Sequence, residues 1–173
     1  MKTLNLRKTM SFDNTPRLFQ IIVVLTGVLF FAVPCTAGVV MNTNDTGADS
    51  LPQVIADAAA GETITFDSGI ANSTIIFASQ IDIGKNLTID GETNNITVSG
   101  GGSVRIFFIS GSSAVTLANL TISNGKATGA GEGGGICIGN DATLTADNCT
   151  FSNNQATYGG AVDAYGTLNA NPN

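Results

Sequence analysis

The sequence from Gly131 to Gly166 reads GEGGGICIGNDATLTADNCTFSNNQATYGGAVDAYG, and it contains two imperfect copies of one short unit. The first copy begins with Gly133-Gly134-Gly135-Ile136, and the second begins with Gly159-Gly160-Ala161-Val162, 26 positions later (159 − 133). Each is followed by a Thr-Leu pair, at Thr143-Leu144 and at Thr167-Leu168. Repetition with a period of about 20 to 50 residues indicates a solenoid, in which stacked units bury one shared core.

A second repeated element lies between the two copies. It reads Phe151-Ser152-Asn153-Asn154, and upstream it is echoed by Ile122-Ser123-Asn124-Gly125. Because side chains alternate along a strand, Cys149 and Phe151 are predicted to point inward, while Thr150 and Ser152 point outward. Asn153-Asn154 is then expected to turn the chain.

Alternation of apolar residues with threonine predicts several short, half-buried strands. Clusters of Gly, Asn, Asp and Ser separate these strands and favour tight turns. A sandwich, a barrel or a β-helix would satisfy this pattern, but the reuse of the same elements in one order favours the β-helix. The offsets vary, with 27 positions from Thr116 to Thr143 and 24 from Thr143 to Thr167, as turns of different length would produce. The strand segments are Thr63–Phe66, Leu87–Ile89, Ile96–Val98 and Leu120–Ile122.

The predicted fold is therefore all-β, a parallel β-helix with a short N-terminal capping helix. Ser50 is positioned as the N-cap of that helix, with Gln53 three residues later, and apolar residues from Leu51 to Ala58 recur at helical spacing. We expect the helix over 50–60 to cover the open first coil. The predicted organisation is a signal peptide over 1–37, an N-terminal cap over 38–61 and a β-helix over 62–173.

Residues 1–37 have the pattern of an export signal. A basic segment ends at Arg17, 16 residues follow from Leu18 to Val33, and small residues flank a cleavage point after Ala37 or Gly38. The apolar run includes Gln20 and is slightly shorter than the roughly 17 to 25 residues that span a bilayer, so an uncleaved anchor is the alternative. Cys35 also permits a lipoprotein interpretation, although Pro34 stands where such signals carry a small residue.

The negative net charge argues against nucleic acid and anionic lipid as partners. Beyond position 37 there are 3 basic and 12 acidic residues, giving a processed chain of about −9 (3 − 12). Such a field repels nucleic acid and anionic lipid. We expect no cofactor and no metal site, because Asp45, Asp49 and Gly139–Asp141 follow no calcium-loop pattern. The carboxylates at these positions are interpreted as solvated turn residues.

The Gly-Gly-x-apolar copies and Phe151-Ser152-Asn153-Asn154 resemble the GGAI and FxxN elements of the chlamydial polymorphic outer membrane protein repeat family. The resemblance covers roughly positions 40 to 170, including a leader from Asp49-Ser50-Leu51-Pro52 to Asn86–Gly91. It implies a surface-exposed or secreted bacterial passenger associated with adhesion, with a right-handed β-helix fold. The repeat residues, to which we assign a structural role, are Gly133, Gly134, Gly135, Ile136, Phe151, Asn154, Gly159, Gly160, Ala161 and Val162.

The function expected from these observations is a non-catalytic, exported surface segment that serves adhesion or structural display. Its partners would be a host or cell-surface protein or carbohydrate, together with a missing C-terminal part of its own chain. Membrane contact would be limited to the signal or anchor segment. The alternative is a fragment of a polysaccharide-active β-helix enzyme resembling pectate lyases. Such enzymes need clustered carboxylates and a basic residue, whereas the Asp residues here are scattered one per turn, and Arg105 is expected within an apolar strand from Val104 to Ile109.

Two further features have structural interpretations. Cys137 is predicted to face outward and Cys149 inward, so we expect no disulfide between them.

Turn asparagines followed by outward threonines form Asn-x-Ser/Thr triplets, which also have the pattern of glycosylation acceptors. We expect these asparagines to form amide ladders between coils instead. The triplets begin at Asn44, Asn72, Asn86, Asn95, Asn119 and Asn148.

Overall fold

A computed structural model describes residues 38–127 and 132–171 of the chain. The predicted signal peptide, and with it the anchor and lipoprotein alternatives, lies outside these residues. The described part is a parallel β-solenoid with one short α-helix, α1 (Leu51–Asp57), and a 3-10 helix (Ser68–Ile70). Its strands are β1 (Gly38–Val40), β2 (Glu62–Phe66), β3 (Thr74–Ile76), β4 (Ile81–Ile83), β5 (Leu87–Asp90), β6 (Ile96–Ser99), β7 (Phe107–Ile109), β8 (Ala114–Ala118), β9 (Leu120–Ser123), β10 (Ile136–Ile138), β11 (Thr143–Asp147), β12 (Thr150–Ser152), β13 (Val162–Ala164) and β14 (Thr167–Asn171).

The strands form three parallel sheets that run along the solenoid. The first sheet has the order β1-β2-β5-β8-β11-β14, the second β12-β9-β6-β3 and the third β13-β10-β7-β4. Each complete turn contributes one strand to every sheet, as β2, β3 and β4 do in the first. The parallel β-helix and its repeated turns, expected from the alternation and from the glycine clusters, are confirmed at this level.

The core lies inside the three sheets and consists of stacked rows of like residues. On the first sheet Ile64, Ile89 and Leu117 pair in register, and all are fully buried. Because strands are about 4.8 Å apart, each side chain packs directly on its counterpart in the next turn. Phe77, which directly follows β3, and Phe107 on β7 meet edge to face within this core, with ring centroids 5.9 Å apart. The rows explain why apolar residues alternate with polar ones in each strand.

Residues at equivalent positions of the sequence repeat pair with each other on adjacent strands of the structure. Ile136 pairs with Val162 across β10 and β13, and Leu144 pairs with Leu168 across β11 and β14. One sequence pairing was wrong: Thr116 lies opposite Thr145, not Thr143. The connection between these turns is two residues longer than the Thr-to-Thr spacing indicated. Since the error is an even number of positions, it leaves the inward and outward assignments unchanged.

The predicted glycine clusters lie where the backbones of adjacent turns approach most closely. Gly133 and Gly134 donate hydrogen bonds to the carbonyls of Tyr158 and Gly159 at 3.0 and 3.3 Å. A Cβ atom on Gly134 would stand 2.2 Å from the carbonyl oxygen of Gln155. Gly133 also adopts a φ of 65°. A side chain at Gly134 would therefore force the two turns apart, whereas at Gly133 it would meet the Ile136 carbonyl of its own turn, at 2.1 Å, in a left-handed conformation that favours glycine.

The helix α1 is present but shorter than the predicted 50–60. Ser50 accepts a hydrogen bond from the Gln53 N–H at 3.4 Å, as an N-cap does. The reciprocal half of the capping box is absent, because the Gln53 amide donates to Asp57 at 2.9 Å instead. At Ala58 the backbone becomes extended, with ψ 139°, and this ends the helix. Leu51 and Ile55 are buried and pack on the core.

The strand β1 was not expected from the sequence. Gly38, Val39 and Val40 pair in parallel with Ile64, Thr65 and Phe66. Only Val40 is buried, while Val39 is exposed. The segment Gly38-Val39-Val40-Met41 has no polar residue to mark an outward face, so its sequence carries no alternation.

The last described turn differs from the preceding ones in exposure. Leu168 on β14 is 42% exposed, although its partner Leu144 on β11 is fully buried. All five residues of β14 are exposed. Among the described residues, no helix is long and apolar enough to cross a membrane.

We predict that Gly134→Ala lowers the free energy of unfolding by about 2 to 3 kcal/mol, the cost of overpacking a tight contact. The matched control is Gly160→Ala on the next turn, where the added Cβ would meet its nearest atom at 3.0 Å and not 2.2 Å. We expect the control to cost less than half as much. Circular dichroism during denaturant unfolding measures both. Equal losses in the two variants would contradict the close approach at Gly134.

Candidate functional site

The outer faces of the solenoid carry rows of threonines in register. On the second sheet Thr74, Thr97, Thr121 and Thr150 form one row across four turns. On the first sheet a second row contains Thr63, Thr88, Thr116 and Thr145 and continues to Asn169. Within the described part of the chain, none of these threonine hydroxyls has a hydrogen-bond partner in the protein. The rows therefore present hydroxyls that are free to bind water or a ligand.

Asparagines at one corner of the solenoid lie beside the first of these rows. Asn72, Asn95, Asn119 and Asn148 each precede a threonine of the row by two positions, and all four have a φ between 49° and 61°. The Asn148 amide donates to Asn119 at 2.8 Å, and that of Asn95 donates to Asn72 at 3.2 Å. Asn119 donates to Asp90 at 2.7 Å, so the ladder is broken there. The predicted amide ladders are confirmed in two segments.

Four of the six Asn-x-Ser/Thr triplets belong to this column, which gives them a structural explanation. The left-handed turn requires a residue that tolerates positive φ, and asparagine does so more readily than most. The next outward position then holds the threonine of the row. The expectation that these asparagines carry no glycan stays a prediction.

The repeat residues of the second element hold consecutive turns together. Phe151 pairs with Ile122 and packs against the core, as predicted. Asn154 donates through its amide to the Ile122 carbonyl at 2.9 Å and accepts from the Gly125 N–H at 2.8 Å. Both the phenylalanine and the asparagine therefore have structural contacts that explain their recurrence.

Three carboxylates that the sequence placed at turns lie on strands, Asp82 within β4 and Asp90 and Asp147 at the ends of β5 and β11, and they bind amide groups of their neighbours. Asp82 accepts from the Gln80 amide at 2.6 Å, and Asp147 accepts from Asn171. Asp90 accepts from the Glu92 N–H at 2.7 Å in addition to Asn119. Within residues 38–127 and 132–171, no group of three or more acidic, cysteine or histidine side chains is arranged to hold a metal ion.

Arg105 has a different environment from the one expected. It precedes β7 and does not lie within it, because the strand begins at Phe107. Its Nε donates to the Gly133 carbonyl at 3.0 Å, and one terminal nitrogen donates to the Glu132 carbonyl. The other terminal nitrogen donates to the Gln80 side-chain oxygen at 3.1 Å. Gln80 links Arg105 to the carboxylate of Asp82, a connection that sequence spacing did not indicate.

A pocket opens beside Arg105 on the outside of the solenoid. Its volume is about 260 Å³, and Arg105 and Lys126 place two positive charges on its wall. The Phe108 ring lies 5.9 Å from the guanidinium carbon and supports it from one side. The pocket is lined by Gln80, Ser103, Val104, Arg105, Lys126 and Ala127.

The two cysteines among the described residues, Cys137 and Cys149, lie on opposite faces of the wall, as predicted. Cys149 packs against the core and contacts the Leu117 and Asp147 carbonyls at 3.4 Å. Cys137 pairs with Phe108 and Asp163 on the outer face, yet it is only 5% exposed. Burial raises the pKa of both thiols, and for Cys137 the nearby Arg105 opposes that shift. Both cysteines are free thiols.

Comparisons of the chain with protein-family models, with curated proteins and with solved structures gave no match. The resemblance to polymorphic outer membrane protein repeats therefore rests on the quoted sequence elements alone.

The side chains of Tyr165 and Glu132 give a measurable prediction. A hydrogen bond to the Glu132 carboxylate raises the pKa of Tyr165 to about 12. We expect Glu132→Gln to move that pKa back toward 10, the usual value. Ultraviolet titration of tyrosine in a Tyr158→Phe background, where Tyr165 is the remaining tyrosine, measures this shift.

The sign of the accompanying pH effect follows from proton binding. The folded chain holds the Tyr165 proton more tightly than the unfolded chain does, so stability decreases as the pH rises from about 10 to about 12. Glu132→Gln should reduce this decrease, because it removes the largest cause of the raised pKa. An unchanged Tyr165 titration in the variant would contradict the contact.

Proposed function

We propose that this chain is a non-catalytic, exported segment of a bacterial surface protein that serves in adhesion. The observation that carries the proposal is the pair of outward threonine rows, whose hydroxyls have no hydrogen-bond partner among the described residues. A rigid wall with regularly spaced hydroxyls suits repeated weak contacts with a protein or carbohydrate surface. The resemblance to polymorphic outer membrane protein repeats supports the same role.

The proposal also includes the hand of the coil, the role of α1 and the role of residues 1–37. The coil is right-handed, since nearly all parallel strand crossovers within a sheet have that hand. The helix α1 acts as the N-terminal cap: its buried Leu51 and Ile55 join the core, and Lys85 donates to the Ala56 and Ala58 carbonyls at 2.9 and 2.6 Å. That lysine holds the end of α1 against the solenoid turn from which it projects. Residues 1–37 act as the signal for export.

A purely structural stalk is the second interpretation, and exposed aromatic residues argue against it. Tyr158 and Tyr165 are 64% and 53% exposed, and both belong to the last described turn. A stalk needs only a uniformly polar exterior. Tyrosine offers a large, rigid contact area at low entropic cost, so it is common in binding surfaces.

The alternative of a pectate lyase-like fragment receives less support. Asp82, Asp90 and Asp147 each accept a hydrogen bond from an amide group of a neighbouring residue. Paired catalytic carboxylates instead face a common space in which the substrate binds. A purified chain that releases reducing ends or unsaturated products from acidic polysaccharide would favour this alternative.

Export is tested by expressing the full chain in a bacterium and by locating it. We expect secreted or surface-exposed protein whose N-terminus begins at Gly38 or Val39. The matched control is Val24→Arg, which places a charge in the apolar run and should keep the chain inside the cell. Wild-type protein that stays in the cytoplasm with Met1 at its N-terminus would refute export.

Adhesion is tested with beads that carry the purified full chain. We expect the double variant Thr97→Val and Thr121→Val to reduce bead binding to cells severalfold, because valine keeps the β-branched shape and removes only the hydroxyl. The control is Val39→Thr, an exposed change on β1 outside the rows. Equal binding by the double variant and the wild type would contradict a role for the threonine row.

A further inference from the structure

The basic residues of the solenoid are few, and their positions are informative. Residues 38–173 contain 3 of them, Lys85, Arg105 and Lys126, against 12 acidic residues. Lys85 binds carbonyls at the end of α1. Both of the others line the 260 Å³ pocket described above. Arg105 and Lys126, the two basic residues that do not bind α1, therefore lie close together on a negatively charged chain.

Arg105 is held in position but its charge is not neutralised. Its three hydrogen bonds go to uncharged acceptors, two backbone carbonyls and the Gln80 amide oxygen. A guanidinium has five N–H groups, so one N–H remains on each terminal nitrogen. Two such groups on neighbouring nitrogens match the two oxygens of a carboxylate.

The acidic groups near the pocket have other partners. Asp82 accepts from the Gln80 amide, and the Glu132 carboxylate accepts from the Tyr165 hydroxyl. In the described part of the chain, neither Arg105 nor Lys126 forms a salt bridge with a carboxylate. Asp82 and Glu132 keep their negative charge, because both partners are neutral, but neither carboxylate forms a direct ion pair with the two cations that an entering anion would meet.

The remaining wall indicates what kind of anion fits. Gln80 keeps one amide N–H beyond its bonds to Arg105 and Asp82, and the exposed Ser103 hydroxyl, which donates to the Gly101 carbonyl at 3.5 Å, can still accept. Val104 and Ala127 contribute only small apolar surfaces. Hydroxyl groups on a ligand would find hydrogen-bond partners there, whereas a bulky apolar side chain would find no deep apolar recess. The volume suits a single sugar ring and not an extended chain.

We propose that the pocket between Arg105 and Lys126 binds the carboxylate of an acidic sugar residue. The guanidinium holds both carboxylate oxygens, Lys126 adds a second charge, and Gln80 and Ser103 bind ring hydroxyls. This deepens the proposed adhesive function by naming a ligand chemistry, and in that respect it rests on that function. The site lies on the outer wall, where a polysaccharide chain can approach it.

The test is a titration of the isotope-labelled full chain with sodium glucuronate, followed by the amide resonances of Val104, Lys126 and Ala127. We expect saturable shifts at these amides. Glucose, which lacks the carboxylate, should produce none, and N-acetylglycine, which has one carboxylate but no sugar ring, should bind more weakly. Raised salt should weaken glucuronate binding, because the contact is between charges.

Two variants that each remove one positive charge distinguish binding in the pocket from a general effect of the net charge of the chain. Lys126→Gln should weaken glucuronate binding about fivefold, consistent with the loss of a partly exposed charge contact. Lys85→Gln, which removes the same charge beside α1, should leave it nearly unchanged. Arg105→Lys keeps the charge but removes the paired N–H groups, and it should weaken binding about tenfold. Thermal unfolding of each variant verifies that it is folded.

Each contrary outcome would overturn the proposal. Equal shifts with glucose, absent shifts with glucuronate, or equal losses in Lys126→Gln and Lys85→Gln would exclude a carboxylate pocket. Binding of N-acetylglycine as tight as that of glucuronate would exclude recognition of the sugar ring. The outcome is independent of the cell-adhesion experiment: a chain that adheres through its threonine rows without binding glucuronate would refute this proposal alone.

Discussion

The hydrogen bonding of each turn directly to the next is the constraint on which the rest of the structure depends. Parallel strands stack about 4.8 Å apart, so whatever occupies a position in one turn must fit against the same position in its neighbours. At Gly134 the backbones of two turns come so close that a Cβ would stand 2.2 Å from the Gln155 carbonyl oxygen. At the corners the chain must turn within one residue, and asparagines with positive φ do so. The recurring sequence elements are the places where this stacking permits few residues.

The same constraint generates the surface. A row of apolar residues inside requires a row of residues outside, and in two sheets that outer row is threonine. Stacking also builds the charged pocket, because Arg105 is fixed by carbonyls of Glu132 and Gly133 on the following turn. The glycines that let turns approach thus also position a cation on the exterior. Structural and binding roles are combined in one segment of the repeat.

Sequence patterns predicted the features that depend on local alternation. The strands, the inward Phe151 and the pairing of Ile136 with Val162 follow from period two and from the repeat. Features that depend on contacts between turns were not accessible in this way. Cys137 faces outward as parity required, but its burial comes from neighbours on other turns, Phe108 and Asp163 among them.

The pocket and the helix illustrate the same division. No spacing rule could bring Lys126 beside Arg105 or pair Arg105 with Gln80, 25 positions away. Ser50 was correctly identified as an N-cap, whereas the Gln53 side chain donates to Asp57 and not back to the cap residue.

The most direct test of the stacking register is disulfide formation in a background without native cysteines. The pair Thr116→Cys and Thr145→Cys should oxidise readily, since the two positions are paired neighbours on adjacent strands. Faster oxidation of the pair Thr116→Cys and Thr143→Cys would contradict the register and with it the positions of both threonine rows.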